Sequence, residues 1–464
     1  MLFAPRILGQ RLKLGPVSHI ERRDGNVLLV WADLPHWMVV DAEMHGFLGR
    51  LDGSRTVAQA VEAIPRAERR GLLQTVKSLM GRGVLHDPAN PAPSEPPKGE
   101  RRPQIENVAI NLTRRCNLRC SFCYGLDRLT SNGADELTAA EISTFLDQVR
   151  PFSSKRASVI LLGGEPLLNP EKLLAVAAHA AHLGFMAVVS TNGIRITPEF
   201  ARQARKTGLQ VQVSLDGHTP QLHDAIRGAG SFDKTLGGIR TLVAQCAHTV
   251  LSLVCHEGNI SHLAEFYALA LSLKVNEARF IPMKLMGGAA GSGLRPVGMS
   301  ELMRVAADLF RQHPEYLKLA GRDAFSILAN TCRLGARRLS CGTGLQTVLL
   351  DADGGLYPCL NTDRPQFRLG GVRDPGYCFR DLWMGSPVLA SVRRCSAMDT
   401  PERACSKCSV RYWCLGGCRG ETFAVTGDLA APSPHCAELH RAVLDIMWLV
   451  AESPGLVRPA TYIC

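Results

Sequence analysis

Cys116, Cys120 and Cys123 stand in a CxxxCxxC run, directly after an apolar stretch, Ile105 to Leu112, and directly before Tyr124. Thiolates grouped this way suit a [4Fe–4S] cluster, whose irons take cysteine sulfur. Three protein ligands leave one iron with an open position, where a substrate or cofactor can bind. Zinc is the competing reading, but a structural zinc site closes with four ligands, and no fourth Cys or His follows soon after Cys123. A second constellation lies further on: Cys341, twelve residues, Gly354, four residues, Cys359. Then come Cys405-x-x-Cys408, five residues, Cys414, three residues, Cys418 and, after a gap, Cys436. Taken alone, Cys405 to Cys418 would also suit a zinc knot.

Polar motifs between these two constellations close a series of apolar runs. Gly163-Gly164-Glu165-Pro166 follows Ser158 to Leu162, Ser190-Thr191-Asn192-Gly193 ends a third run, and Val213-Ser214-Leu215-Asp216-Gly217 ends a fourth, with His223 to Gly228 beyond it. The runs read as strands over 105–112, 158–162, 187–190, 211–215, 250–254 and 278–281. Helical stretches such as 138–149, 170–182 and 234–247 separate them. Strands alternating with helices predict an α/β fold with a parallel sheet wrapped by helices. Ligands of such barrels bind at the carboxyl ends of the strands, so the motifs converge on one mouth. The sixth strand runs into Pro282 to Gly288, which is either part of that mouth or an ordinary loop. Cys246 and Cys255 lack ligand spacing and read as core residues.

Residues 1–90 read as a separate small unit. Val17 to Ile20 and Asn26 to Trp31 predict strands around the Arg23-Asp24-Gly25 turn, with a third at Trp37 to Val40. Asp41 caps a helix, Leu51 to Val57 is a turn into a helix over 57–64, and a last helix spans 68–80 before Val84-Leu85. Residues 91–104, rich in proline and charge, form a semi-rigid linker. The chain has 464 residues, enough for two or three domains. With 46% hydrophobic residues, no stretch reaches the ~18 apolar residues of a membrane span, and 443–450 reads as a packed terminal helix. The first residues lack the apolar core of a signal peptide. A cytoplasmic protein is expected, with no membrane association. Sixteen cysteines there argue for metal ligation over disulfides. The net charge of +11 suits ordinary solubility or an acidic peptide partner; nucleic acid is not expected, because no dense Lys/Arg cluster is interleaved with aromatics.

The cysteine run with its aromatic neighbour, followed in order by GGEP, STNG and SLDG, resembles the radical S-adenosylmethionine (SAM) superfamily. The resemblance implies a partial (β/α)6 barrel over 105–310. It implies that the open iron at Cys116, Cys120 and Cys123 chelates SAM, with Tyr124, Gly163, Gly164, Glu165, Asn192, Ser214, Asp216 and Arg227 on the SAM side. Ser214 and Arg227 would hold the SAM carboxylate, and Glu165 its amino group. SAM is then cleaved to a 5′-deoxyadenosyl radical that abstracts hydrogen from a C–H bond. Residues 311–464 resemble the SPASM extension of peptide-modifying relatives. By that correspondence Cys405, Cys408, Cys414 and Cys436 hold one auxiliary [4Fe–4S] cluster, and Cys341, Cys359 and Cys418 a second. Either Cys332 completes this second cluster or an iron stays open for a substrate thiolate. Cys378, Cys395 and Cys464 fall outside the pattern.

LDGSRTVAQAV and LMGRGVL resemble the PqqD-like peptide-recognition domain, a winged-helix-like α+β unit. There a substrate's leader segment adds a strand to a sheet edge. The three-part build is similar to sactipeptide synthases and to the maturase of the quinohemoprotein amine dehydrogenase γ subunit. It implies Cys-to-carbon thioether formation in a ribosomal peptide or small protein subunit, fed by an external electron donor. Ring closure releases a proton, so a base is needed; Asp363 and Asp399 are the candidates, against the plainer reading of surface carboxylates. Leu360 stands where sulfatase-maturing relatives carry an Asp, which argues against that activity. The alternatives are a carbon–carbon cross-linking or epimerising peptide maturase and, in another class, a non-catalytic iron–sulfur carrier or peptide scaffold.

Overall fold

A computed structural model describes residues 7–62, 64–89, 103–133, 135–320, 340–398, 400–401 and 403–454. Cys332, Asp399, Cys464 and most of the proline-rich linker lie outside the described residues.

The N-terminal unit contains two small antiparallel sheets. One has the order β2 (His19–Arg23), β3 (Asn26–Trp31), β4 (His36–Asp41). Asp24 and Gly25, at φ 47° and 79°, make the two-residue turn between β2 and β3, the positive-φ geometry that matches strand twist. The other sheet has β1 (Arg11–Leu14) between β5 (Asp52–Thr56) and β6 (Leu85–His86). Here the structure departs from the sequence reading. β1 was not foreseen, and β5 occupies what reads as a turn. DGSRT is polar and mostly exposed, so only its backbone pairing to β1 makes it a strand. Helices α1 (Ala42–Gly49), α2 (Val57–Val61) and α3 (Arg69–Gly81) complete the unit. Asp41 caps α1 by accepting from Met44 N at 2.7 Å.

β3 reads NVLLVW without a polar break, and both of its faces are buried. Val27, Leu29 and Trp31 join Leu12, Phe47 and Val76 in the unit's own core. Leu28 and Val30, with Trp37, pack against Val410, Trp413, Val443, Leu444, Met447 and Trp448. The unit is therefore docked on the C-terminal region and does not stand apart. A continuous apolar strand is the mark of two-sided burial.

Six strands, β7 (Ile105–Asn111), β8 (Ser153–Leu162), β9 (Met186–Thr191), β10 (Gln210–Ser214), β11 (Thr249–Cys255) and β12 (Glu277–Pro282), lie parallel and in chain order. Each expected strand is present; β9, β11 and β12 are two residues longer, β7 is one shorter and β10 is shifted by one. β8 gains a polar first half, SSKRA, that joins β7 through a register shift at Ile105. Helices α4 (Ala139–Val149), α5 (Pro170–His182), α6 (Pro198–Thr207), α7 (Pro220–Arg227), α8 (Ser231–Ala244) and α9 (Leu263–Ser272) connect the strands. Cys246 follows α8 at φ 52° and is exposed, which corrects its reading as a core residue; Cys255 is fully buried.

After α10 (Met299–Gln312) the sheet continues. β13 (Thr347–Leu350) pairs parallel to β7 on its free side, and β14 (Gly355–Tyr357) and β15 (Gly370–Gly371) extend it antiparallel. Helices α11 (Phe379–Gly385), α12 (Pro387–Ser396), α13 (Arg411–Cys414), α14 (Arg419–Thr426) and α15 (Cys436–Glu452) follow. Among the described residues no helix is long and apolar enough to cross a membrane.

Candidate functional site

The parallel strands all end on one side, and the motifs sit there. β7 leads into the loop carrying Cys116, Cys120 and Cys123. Asp351, at the end of β13, anchors this loop by accepting from Asn111 Nδ2 at 3.0 Å and from Arg114. Burial opposes the Asp351 charge, yet Arg114 and Asn111 outweigh it and hold the carboxyl below its usual range. The turn after β8 zips to the same loop, Gly164 N to Thr113 O and Glu165 N to Arg115 O, each 2.8 Å. A Cβ at Gly164 would stand 2.1 Å from Arg115 O, and one at Gly163, φ 145°, 2.4 Å from Thr113 O. These glycines are thus required by backbone contact with the cysteine loop.

Glu165 is 1% exposed. Its Oε1 accepts from Leu167 N at 3.0 Å and Thr191 Oγ1 at 2.6 Å, and its Oε2 from Asn192 N at 2.8 Å. Three of about four lone-pair sites are filled, leaving room on Oε2 for one more donor. Burial raises its pKa against these bonds. Asn192 Nδ2 reaches Asn117 Oδ1 at 2.9 Å, tying the end of β9 to the cysteine loop. Asp216, fully buried after β10, pairs with Arg227 Nε at the end of α7 and accepts from Val254 N at 3.0 Å. The Arg227 guanidinium lies 5.8 Å from the Phe122 ring and feels the Cys120 and Cys123 thiols. Ser214 closes β10 on the same rim. Tyr124, its pKa pushed up to about 12 by burial, lies 5.6 Å from the Arg128 guanidinium.

The described candidate cysteines form three spatial groups. Cys116, Cys120 and Cys123 face one another, and burial pushes all three thiols up, Cys120 to about 11. Cys359 lies with Cys418 and Cys341. Cys408 lies with Cys405 and Cys436, and Cys414, pushed up to about 11 by burial, with Cys408 and Cys405. Cys414 and Cys418 are four apart, a spacing that a helix would place on one face. Leu415, Gly416 and Gly417 intervene at φ 57°, 72° and 69°. This left-handed run ends α13, reverses the chain and sends the two thiols to different groups. Among the described residues no three or more of His, Cys, Asp or Glu gather tightly enough for a single metal ion.

Residues 110–270 match the radical SAM superfamily. The mycofactocin maturase MftC of Mycobacterium tuberculosis is 31% identical over 343 residues, 71% of this chain and 82% of that protein. The chain belongs to the radical SAM superfamily. The AdoMet-dependent heme synthase of Methanosarcina barkeri is also similar, 27% identical over 347 residues, 71% of this chain and 95% of that one. Among solved structures, Streptococcus suis SuiB bound to precursor peptide SuiA superposes with a TM-score of 0.57 at 14% identity, covering 91% of this chain and 98% of that one. This last likeness is one of fold.

Radical SAM membership brings SAM and a [4Fe–4S] cluster. The three thiols of the first loop and the rim of Glu165, Ser214, Asp216 and Arg227 fit that pair in donor type and in their shared place at the strand ends. The segment over 282–288, which the sequence leaves open between a part of the mouth and an ordinary loop, packs against the cysteine loop. The segment after β12 packs Gly287, at φ 55°, against Tyr124 O, and Gly288 N donates to Cys123 O at 2.8 Å. Leu285 N donates to Glu421 Oε1 at 3.0 Å. The neighbouring Lys284 ammonium is opposed by burial, but Cys418, Cys359 and Glu421 outweigh this and raise its pKa. One short segment thus touches both the first thiol group and the Cys418 group. A hollow of about 480 Å³ opens beside it, lined by Asp127, Leu285, Met286, Gly287, Arg364 and Phe423. Asp363 is buried and ion-paired to Arg128, so the plainer reading of a surface carboxylate is corrected.

Proposed function

We propose that this chain is a radical SAM enzyme of the SPASM type that cross-links a ribosomally made peptide or small protein subunit. The bond formed is a thioether from a cysteine sulfur to a carbon. The observation that carries the reading is the sorting of the cysteines into three groups. One group lies at the barrel mouth, as a radical-generating site requires, and two lie beyond it, as a route for an electron leaving an oxidised substrate requires. When bound, SAM and the first cluster supply a carbon-centred radical able to take hydrogen from an unactivated C–H bond. The chain's own residues then hold and orient. Glu165 offers its remaining acceptor site, Arg227 carries positive charge to the rim, and the hollow beside Gly287 admits the substrate.

The group of Cys341, Cys359 and Cys418 faces the Lys284 segment with three described thiols. An open iron there for a substrate thiolate would favour the thioether over a carbon–carbon bond; Cys332, the other candidate for the fourth ligand, lies outside the described residues. Asp363, buried and ion-paired to Arg128, next in the chain to Arg364 of the hollow's lining, is the proposed base. Peptide delivery by the N-terminal unit is supported by the maturase named among the relatives and by β2, a polar edge strand with no strand paired to its outer side among the described residues. An external donor supplies the electron.

Anaerobic coexpression with a small Cys-rich reading frame encoded nearby tests this reading. Mass spectrometry should show a pair of hydrogen atoms lost per linkage and a cysteine no longer alkylated by iodoacetamide. Loss of hydrogen with every thiol still alkylated would move the proposal to a carbon–carbon bond. Reconstituted protein that forms no 5′-deoxyadenosine with dithionite would end the enzyme reading.

A further inference from the structure

Two buried guanidinium groups, those of Arg403 and Arg419, lie within electrostatic reach of each other, and Arg419 lies within reach of thiols from both outer groups. Arg419, 1% exposed, donates to the carbonyls of Leu429, Ala431 and Gly416, and its Nε has no partner. Arg403, 8% exposed, is stranger: its Nε, Nη1 and Nη2 are all buried, and none has a hydrogen-bond partner. The two cations stand close enough to repel. Burial and then Arg403 push the Arg419 pKa down, while Cys341, Cys405 and Cys418 pull it up. Arg419 is therefore within electrostatic reach of both thiol groups. Cys341 and Cys405, one from each group, also pack against the same apolar patch of Met398, Tyr412 and Leu415.

A guanidinium carries five N–H donors and stays charged. Buried without an acceptor it carries a large desolvation penalty, and a second cation beside it adds to the penalty. Among the described residues neither arginine is bonded to a carboxylate. Among the described residues the anionic groups within electrostatic reach of Arg419 are the thiols of Cys341, Cys405 and Cys418, joined by the sulfides of any cluster they hold.

We propose that Arg403 and Arg419 form a cationic bridge between the two auxiliary cluster sites, with Arg403 donating its N–H groups to cluster sulfur. An auxiliary cluster gains negative charge when it takes up an electron, and fixed cations beside it favour that reduced form. The bridge thus raises the reduction potential where the substrate's electron must be received. It acts as a positioning device for charge and touches neither SAM nor substrate. The inference rests on the auxiliary-cluster reading above.

The test is an EPR-monitored redox titration of anaerobically purified, full-length holoprotein. In Arg403→Met, the reduced-to-oxidised ratio of an auxiliary centre at a fixed potential should fall about tenfold, or 59 mV for a one-electron couple. Arg403→Lys should restore part of this, and the SAM-binding centre should not move. Pulsed EPR of the wild-type protein labelled with 15N-arginine does not depend on any variant folding, and should show 15N coupling at a reduced auxiliary centre. Roughly a dozen irons per chain, as three four-iron clusters require, with unshifted potentials and no 15N coupling would overturn the bridge and leave the clusters standing. About four irons per chain would overturn the auxiliary clusters and the bridge with them.

Discussion

At the scale of single residues, the buried pair Asp216–Arg227 is the most exacting feature of the rim. Arg227 has given up water for Asp216, which also holds Val254 N. Asp216→Ala leaves a buried cation without its partner, and should destabilise the chain by about 3–5 kcal/mol. The double variant Asp216→Leu/Arg227→Met should recover much of that loss in denaturant titration, because no unpaired charge remains. Gly416 makes a different demand. At φ 72° a side chain is strained, and its Cβ would meet Arg419 Nη2 and Met398 at 3.1 Å. Gly416→Ala should cost at least about 1 kcal/mol and lower iron content at both outer thiol groups, while the SAM-dependent signal of the first loop persists.

At the scale of elements, β4 and its neighbours carry a pH response. His36 is buried, stacked on Trp31 at 5.7 Å and close to Arg82. Burial, then the Arg82 charge, push its pKa from 6.5 down to about 4. The folded form therefore prefers the neutral ring. The stability this contributes is present above pH 6.5 and is lost as pH falls toward about 4. Hydrogen exchange of the β3–β4 amides, corrected for intrinsic rates, should quicken across that window and flatten in His36→Phe. The segment after β12 makes a second element-scale case. A Cβ at Gly287 would stand 2.2 Å from Tyr124 O. Gly287→Ala should therefore displace the cysteine loop and reduce SAM-dependent 5′-deoxyadenosine formation at least tenfold, with iron at the outer groups unchanged.

The parallel strands were legible because Ile105–Leu112 and its successors are apolar runs bounded by glycine-containing motifs, and period and punctuation are local properties. β1, β5 and β13 were not. RLKL, DGSRT and TVLL are four or five residues long, and each is a strand only because a distant segment supplies its hydrogen bonds. Asp363 reads from the sequence as either a base or a surface carboxylate; its ion pair with Arg128 spans far too much chain for spacing to reveal.

At the scale of the whole molecule, the N-terminal unit and α15 are one packed assembly. Arg441 forks onto both oxygens of Glu21 at 2.9 Å, Trp448 Nε1 donates to Glu21 at 3.1 Å, and Asp33 meets Arg411 beside Cys408. Cys408 and Cys414 lie against the same apolar cluster as Leu28 and Val30. Removing residues 1–90 would bare Trp413, Val443, Met447 and Trp448. The truncated chain should lose about four irons from the Cys405 group and aggregate, yet still cleave SAM. Full iron content after truncation would show that the contact is incidental to that group.

The sequence alone determined which thiols stand at ligand spacing and where the six parallel strands fall, since thiol spacing and hydrophobic period are written within a few turns of chain. Tertiary structure decided that β13 joins the barrel sheet, that the N-terminal unit packs on α15 and that Arg403 is buried without a hydrogen-bond partner among the described residues. Those outcomes depend on contacts between segments hundreds of residues apart, where only the packing of the complete chain chooses one arrangement.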